Sequence, residues 1–452
     1  MRPTHGPDAS PRSVLNLTEW DHKEPGGTPC LKGLTLAGDP VARRIADTLR
    51  AGLDIREGYE GLEVTSTSLV GQVDVGPLRV VVTPKLPSMP LATLLRYAYG
   101  LRDITTMEET RAPTDRHGFQ DLLIALLAAE VEELIHRGLS RRYEPTFESL
   151  ASPRGRILVD RIAVRGGIRE ARLPCRHFER RTDWHLNRVL RSGLELAARF
   201  AQDSDLRRRA HRLSALFGDV AAMDVLRLQD VDLAERALTR MTFASQPSLT
   251  LIRLLLEAQG IAFDPSQPQS RLPGFLFDMN LFFQRLLSRF LRENLTNARI
   301  VDEVAIRNLF SYAAQANPRG RSVPRPRPDY ALYRGPSLRA FLDAKYRDVW
   351  TKSLPAEWLY QLSIYALASP AQIGVLLYAS MSDSAQDERI EIRQPVAWSS
   401  KTPAAVILRP VPLGHLAQRI SREQVSTSAA ARQRLADRLV DVVIRPREML
   451  AA

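Results

Sequence analysis

The 452-residue sequence contains only two cysteines, Cys30 and Cys175, so it offers neither a disulfide framework nor a cysteine-based zinc site. This scarcity fits a reducing compartment, and we expect a cytoplasmic protein. Uncharged runs long enough to span a bilayer are absent as well. Residues 1–12 are polar and rich in proline, without the apolar segment of a signal peptide. We therefore expect no membrane partner.

Three enzyme signatures are also missing. The sequence has no Gly-x-x-x-x-Gly-Lys-Ser/Thr phosphate loop, no Gly-x-Ser-x-Gly nucleophile elbow and no His-Glu-x-x-His zinc motif. We therefore expect that this chain itself binds no nucleotide. Lysine is scarce, with six residues, yet Lys and Arg together number 63 against 51 for Asp and Glu, and the net charge is +12. A polyanion is the first partner to consider, although the arginine usage of a GC-rich genome explains the charge equally well.

Composition divides the chain into three segments. Residues 1–115 open with a mobile or extended lead-in over residues 1–30, and short alternating runs then predict a β-rich module. Residues 116–264 have helical spacing and the densest run of arginines, which predicts a mainly helical, arginine-rich region. Residues 265–452 mix helices and strands and end in a charged helix predicted for residues 418–442. The expected fold class is therefore a mixed α+β or α/β multidomain protein.

The most informative stretch is a predicted β-hairpin that carries two carboxylates and one amine. Asp329 precedes an apolar run, and a turn cluster leads to a second run that contains Asp343 and Lys345. Strand side chains alternate between faces, so Asp343 and Lys345 share one face. A three-residue loop over residues 335–337 would place Asp329 opposite Asp343, whereas a slip of one residue would separate them. The alternative interpretation is an edge strand with a solvated salt bridge.

Two aspartates at one point predict a site for a hard divalent cation, which prefers oxygen ligands. Such a cation can activate a water molecule and neutralise a phosphate, while Lys345 can orient that water or stabilise developing negative charge. Two basic stretches provide candidates for DNA binding, with a solvated surface as the alternative for each. They contribute Arg319, Arg321, Arg325 and Arg327 in the loop before Asp329, and Arg154 and Arg156 in the middle segment.

The order of helix, strand, aspartate hairpin, Asp-x-Lys and a helix with Gln361 and Tyr365 one turn apart resembles the PD-(D/E)xK nuclease core, in the variant of RecB-type nucleases. Further segments resemble the McrC family and occur in the same order. They are residues 56–61, 83–85, 94–98, 154–157, 175–179, 187–190 and 277–282. Together the resemblance spans residues 55 to about 380, and the whole set is far more specific than any one segment.

McrC is the nuclease subunit of McrBC-type, modification-dependent restriction systems. The resemblance implies a C-terminal PD-(D/E)xK domain in which Asp329, Asp343 and the backbone carbonyl of Ala344 bind Mg²⁺, with Mn²⁺ as an alternative. It implies that Lys345 positions the attacking water. Where the family's first core helix usually has Glu after Met-Asn-x-Leu-Phe, this chain has Gln284, which can orient a water but adds no charge. Two further residues would brace the site or contact the DNA backbone, namely Gln361 and Tyr365.

The resemblance also implies partners: double-stranded, modified DNA of the methylcytosine type, and a hexameric AAA+ GTPase ring of McrB type. In the family the N-terminal part inserts into that ring and stimulates GTP hydrolysis, which predicts a docking role for residues 1–115. Two alternatives differ from this interpretation. One is a ring-binding activator with a decayed nuclease site, which Gln284 favours. The other is a plain DNA-binding module, which explains the charge but not the clustered carboxylates.

Overall fold

A computed structural model of the chain describes residues 13–101, 118–164, 166–168, 171–261, 274–307, 309–313, 316–393, 403–421 and 425–442. The architecture is mixed α and β with several sheets, as predicted. It divides into two compact units, residues 1–103 with 261–452, and residues 104–260. The first and third segments of the sequence thus belong to one unit. Among the described residues, no helix is both long enough and apolar enough to cross a bilayer.

The N-terminal part of the first unit is rich in β structure. Its described elements are β1 (Ser13–Thr18), β2 (His22–Lys23), α1 (Pro40–Leu49), β3 (Leu53–Glu57), β4 (Leu62–Ser66), β5 (Leu69–Val75), β6 (Leu78–Thr83) and α2 (Ser88–Tyr99). The lead-in expected over residues 1–30 is wrong from Ser13 onwards, while residues 1–12 lie outside the described residues. Strand β1 pairs in parallel with β6, and its Leu15 and Leu17 alternate onto the buried face of the sheet.

The second unit is helical and contains one small sheet. Its described elements are α3 (Phe119–His136), β7 (Arg142–Leu150), β8 (Arg156–Ile157), α4 (Val159–Val164), β9 (Leu173–Arg181), α5 (His185–Phe200), α6 (Ser204–Ala215), α7 (Leu228–Arg236) and α8 (Gln246–Ile261). The densest run of arginines lies on the antiparallel sheet β7-β9-β8 and its connections. Cys175 and His177 are buried while Arg176 and Phe178 point outward, which is the alternation of a half-buried strand.

The C-terminal part of the first unit contains a six-stranded sheet in the order β11-β12-β13-β14-β16-β15. Its pairs are antiparallel, except that β13 and β16 both run parallel to β14. The charged terminal helix predicted for residues 418–442 is wrong as one element, since one helix ends at Ile420 and the next begins at Val425. The elements are β10 (Gly274–Asp278), α9 (Met279–Asn294), β11 (Arg299–Asp302), β12 (Tyr330–Arg334), β13 (Ser337–Lys345), α10 (Ala356–Ala368), β14 (Ile373–Ser380), β15 (Glu388–Glu391), β16 (Ala405–Pro412), α11 (Leu413–Ile420) and α12 (Val425–Val440).

Strand β10 joins the two parts of the first unit, because it pairs with β5 in the sheet β1-β6-β5-β10. The strands approach closely at Gly71, where φ is +127° and a Cβ atom would lie 2.1 Å from the carbonyl oxygen of Phe275. Helix α9 follows directly and buries Phe282, Phe283 and Phe290. Each such side chain stabilises the fold by about 1.5–3 kcal/mol. The C-terminal sheet is thereby anchored to residues from the start of the chain.

Candidate functional site

The hairpin β12–β13 brings the two predicted aspartates together. Strand β12 begins at Tyr330, which pairs with Leu342, so the same register places Asp329 opposite Asp343. On β13, Asp343 and Lys345 are two residues apart and share a face. The structure therefore brings all three predicted residues to one end of the hairpin.

The hairpin reaches this register by a different route from the predicted three-residue loop. Arg334 pairs with Ser337, so the turn contains only two residues, and Gly335 within it has φ of +57°, a left-handed conformation that favours glycine. A β-bulge follows, because Tyr333 pairs with Leu338 but Leu332 pairs with Ala340. The extra residue in β13 restores the register that the shorter turn would have shifted.

Hydrogen bonds hold the carboxylate of Asp329 on both oxygens. Its Oδ1 accepts from Nε2 of Gln284 at 2.9 Å, and its Oδ2 accepts from the backbone N–H of Ala344 at 2.7 Å. Helix α9 is itself attached to the hairpin, since the hydroxyl of Tyr330 donates to the carbonyl oxygen of Gln284 at 2.6 Å. Gln284 therefore lies at the site, as its place in the sequence pattern predicted.

Asp343 is the most buried member of the group, with 2% of its surface exposed. The Nζ atom of Lys345 lies 2.8 Å from its Oδ2 atom. The same ammonium lies over the ring of Trp358 in α10, 5.8 Å from the ring centroid. A cation between a carboxylate and an aromatic face is held in one position, which suits a group that must be oriented toward a substrate.

The electrostatics of the two carboxylates favour a bound cation. Burial, and then the charge of Asp343, raise the pKa of Asp329 to about 7. Burial also raises the pKa of Asp343, against the effect of Lys345. Burial alone would lower the pKa of Lys345, but the two carboxylates outweigh it and its pKa is raised. The raised pKa values mean that it is costly for both carboxylates to be ionised at once. A divalent cation bound to their oxygens would neutralise this charge.

Gln361 and Tyr365 form one pair on α10. Nε2 of Gln361 donates to the hydroxyl of Tyr365 at 2.9 Å, and the Tyr365 ring packs against Phe341 with centroids 6.3 Å apart. Burial, and then the charge of Asp343, raise the pKa of Tyr365 to about 12. The pair therefore packs under the face of β13 that carries Asp343, where it supports the strand.

The predicted DNA-binding arginines fall into two places. Arg319, Arg321, Arg325 and Arg327 are exposed in the loop before Asp329, in the same unit as the acid pair. A turn orders part of this loop, because the backbone N–H of Arg321 donates to Oδ1 of Asn317 at 2.9 Å. Arg154 and Arg156 are exposed as well, but they lie in the second unit.

Arg154 belongs to a cluster that the sequence did not reveal. Glu148, His177 and Glu179 bring three potential metal-ligand atoms within 4.8 Å of one another. However, Nη2 of Arg154 lies 3.1 Å from Nε2 of His177 and 3.7 Å from Oε1 of Glu148. Arg154 thus neutralises Glu148, and Arg181 lies 3.0 Å from Glu179, so we interpret the group as an ion-pair cluster.

Sequence reasoning missed two residues that hold the chain just after Lys345. The backbone N–H of Tyr346 donates to Oδ1 of Asn280 at 2.8 Å, and its carbonyl oxygen accepts from Nε1 of Trp20 at 2.6 Å. Asn280 also donates to Oγ of Ser68 at 2.9 Å. Asn280 lies in the Met-Asn motif, which could have drawn attention to it, whereas no local pattern marks Trp20.

Comparisons with known proteins agree with this architecture. The model of a protein family described as "McrBC 5-methylcytosine restriction system component" matches residues 64–379. A chain in a solved structure of Thermococcus gammatolerans McrB AAA+ hexamers with bound McrC, a half-complex from a tetradecameric assembly, is similar with a TM-score of 0.60. The match has 18% identity and covers 94% of this chain and 100% of that chain, which shows a shared fold.

A second similarity is weaker. A chain in the cryo-EM structure of the Thermococcus gammatolerans McrBC complex matches with a TM-score of 0.43 and 20% identity, over 63% of this chain and 88% of that chain. This similarity is too low to support any conclusion about the fold. No curated protein sequence matches the chain.

Proposed function

Because the chain belongs to the family of McrBC 5-methylcytosine restriction system components, we propose that it is the nuclease subunit of such a system and cleaves methylated double-stranded DNA. The observation that carries this proposal is the group formed by Asp329, Asp343 and Lys345 at one end of a hairpin. The six-stranded sheet with α9 and α10 would then be a PD-(D/E)xK nuclease domain. This assignment explains the two carboxylates in a DNA-binding chain, since carboxylates that hold a metal ion no longer repel the phosphates of DNA.

The residues present fit a Mg²⁺ ion, with Mn²⁺ as an alternative. Asp329 and Asp343 would provide carboxylate oxygens, and their raised pKa values indicate that the single charge of Lys345 does not offset their burial. The Ala344 carbonyl would complete the set, since in an antiparallel pair the N–H and C=O of one residue point to the same neighbouring strand. When bound, the ion would activate a water molecule and neutralise the scissile phosphate.

The chain's own residues would orient the reactants. Lys345, whose Nζ lies 2.8 Å from Asp343, would donate a hydrogen bond to the attacking water. Its charge would also stabilise negative charge on the phosphate. Gln284 keeps the carboxylate of Asp329 turned toward the site. Tyr365, bonded to Gln361, keeps the strand beneath Asp343 in place.

We also propose a partner, an AAA+ GTPase of McrB type that forms a hexameric ring. The family membership supports this partner, and the related fold was solved with McrB AAA+ hexamers. Residues 1–115 would dock on the ring, since no carboxylate group of the proposed nuclease site lies there. Guanine nucleotide would be bound by the ring and not by this chain.

The test uses full-length variants with the partner ring, GTP, Mg²⁺ and methylated DNA. Asp343→Ala and Lys345→Ala should abolish cleavage but leave binding to the ring and stimulation of GTP hydrolysis intact. Asp383→Ala is a matched control, because this carboxylate is in the same unit but 82% exposed, and it should cut like the wild type. Cleavage by the Lys345 variant at the wild-type rate would refute the site assignment.

One alternative has a specific observation in its favour. Gln284 leaves the site one carboxylate short of the family pattern, as in a ring activator whose nuclease function has decayed. That protein would stimulate GTP hydrolysis but fail to cut methylated DNA at any Mg²⁺ or Mn²⁺ concentration. The same assay of the wild-type chain therefore decides between the two functions.

A further inference from the structure

Next to the acid pair, the guanidinium of Arg347 lies over two indole rings whose planes are nearly perpendicular to one another. Its Cζ atom lies 5.2 Å from the ring centroid of Trp20 and 5.7 Å from that of Trp358. Nζ of Lys345 lies 5.8 Å from the same Trp358 ring, so the two cations are neighbours. Stacking on aromatic faces restricts the plane of a guanidinium, which pre-orients its fork of N–H donors.

Within the described part of the chain, no anion neutralises this guanidinium. Among the described residues Arg347 forms no salt bridge, and its buried Nε atom has no hydrogen-bond acceptor. Burial alone lowers its pKa. By contrast, the buried Arg409 lies 2.8 Å from Asp387 and also donates to backbone carbonyls. A partly desolvated charge without a counter-charge is costly, so its retention beside a proposed active site points to an anionic ligand.

A lysine adds positive charge at the same place. Nζ of Lys352 donates to the carbonyl oxygen of Trp20. Burial, and then the charges of Lys85 and Arg347, lower the pKa of Lys352, against the charge of Asp21, which raises it. Trp20 itself has φ of +57°, a strained conformation for a bulky residue that costs about 1–2 kcal/mol. The strain at Trp20 and the repulsion between Lys352 and Arg347 both disfavour the folded state, which indicates that these residues serve binding.

We propose that Arg347, together with Lys352, binds a phosphate of the DNA backbone beside the phosphodiester that is cut. This inference rests on the proposed nuclease function and adds a substrate contact to it. The acid pair repels DNA, and a guanidinium placed beside it supplies the opposite charge in a fixed direction. Trp20 and Trp358 are then positioning residues that act through Arg347.

The test compares Arg347→Ala with Arg299→Ala in the full-length chain. Arg299 is a matched control, since its Cζ atom also stacks on a ring of the same unit, 4.5 Å from the centroid of Tyr333, and its loss removes the same charge. Binding to a methylated duplex is measured by fluorescence anisotropy with Ca²⁺, which replaces Mg²⁺, over a range of salt concentrations. The KM for DNA in cleavage with the partner ring is measured in parallel.

Arg347→Ala should weaken binding or raise KM about tenfold, as expected for one charged hydrogen-bonded contact, and should reduce the slope of log Kd against log salt by about one. Arg347→Lys keeps the charge but loses the planar fork, and should recover the salt slope but not the full affinity. Equal behaviour of the Arg347 and Arg299 alanine variants in both assays would overturn the proposal. A second outcome would also overturn the proposal. If Arg347→Ala loses the binding of inorganic phosphate but binds DNA as the wild type does, Arg347 belongs to a site for free phosphate.

The outcomes separate this inference from the function on which it rests. If Lys345→Ala still cuts DNA, the nuclease site is wrong, whatever Arg347 does. If Lys345→Ala is inactive but Arg347→Ala matches Arg299→Ala, only the phosphate contact is wrong.

Discussion

The backbone N–H of Ala344 donates a hydrogen bond of 2.7 Å to Oδ2 of Asp329. Asp329 lies just before β12, so its carboxylate takes the place that a strand carbonyl would occupy in a continued ladder. Ala344 separates Asp343 from Lys345 on the partner strand. One hydrogen bond therefore attaches the first carboxylate to the segment that carries the second carboxylate and the amine.

Gln284→Glu should lower the Mg²⁺ concentration that gives half-maximal cleavage. Nε2 of Gln284 is 2.9 Å from Asp329, and a carboxylate there adds Coulombic attraction for a divalent cation. The maximal rate should change less, because Asp329 and Asp343 still provide the donor set. Gln433→Glu makes the same chemical change on α12, where the side chain bonds Thr296 at 2.9 Å, and should leave the titration unchanged. Superimposable curves for Gln284→Glu and wild type would place Gln284 outside the ion's reach.

Asp329→Asn should stabilise the chain when divalent cations are removed. The pKa of Asp329 is raised to about 7, so its ionised form destabilises the folded state, increasingly as pH rises from about 4 to 7. At pH 8 in EDTA we expect a gain in unfolding free energy on the order of 2 kcal/mol. At pH 3.5 the gain should vanish. With saturating Mg²⁺ the order should reverse, because only the wild type gains the binding energy of the ion. Urea denaturation under these three conditions tests it, and a gain of equal size at both pH values would contradict the reasoning.

Glu19→Gln should stabilise the chain at alkaline pH. Burial raises the pKa of Glu19 to about 8, against the bonds from Lys85 and Tyr346 that lower it. The protonated side chain is favoured in the folded state, so the wild type loses stability as pH rises from about 4.5 to 8, and glutamine mimics the protonated form. The difference in unfolding free energy between variant and wild type should therefore grow between pH 5 and pH 9. A difference that does not depend on pH would show that Glu19 stays ionised in the fold.

Trp20→Phe should lower kcat for DNA cleavage, and should destabilise the fold no more than a comparable change far from the site. The indole N–H donates to the carbonyl of Tyr346 at 2.6 Å, directly after Lys345. Trp184→Phe is the matched control, because its indole N–H donates to the carbonyl of Ser140 at 3.1 Å in the second unit. Both changes remove one such bond and should cost about 1 kcal/mol of stability. Only the Trp20 variant should lower kcat. Equal kcat values for the two variants would show that the bond at Tyr346 has a structural role alone.

Local periodicity explains which parts of the site could be predicted. Asp343 and Lys345 share a face because side chains alternate along any strand, whatever surrounds it. Gln361 and Tyr365 meet because residues four apart are neighbours on a helix. These relationships need only the element type, and the apolar runs around them indicate it.

The rest depends on contacts between distant parts of the chain. Trp20 and Tyr346 are separated by 326 positions, and their hydrogen bond follows from the attachment of the C-terminal part to the N-terminal sheet through β10. Strand β1 was missed because a single strand at a sheet edge, with two buried leucines, has a weak pattern. The two-residue turn could not be predicted, because a bulge cannot be recognised from alternation alone.

The two-residue turn and the bulge at Arg339 together take up as many residues as a three-residue turn between regular strands, so both arrangements place Asp329 opposite Asp343. Removing Arg339 alone would leave a regular hairpin with a two-residue turn, in which Leu332 still pairs with Ala340 and Asp343 keeps its face. Inserting one residue beside Gly335 at the same time would give a three-residue turn between regular strands, again with the same pairs. A relative with a longer turn and a regular strand would therefore carry the same acid pair, and a gap in an alignment at this hairpin would not signify a lost site.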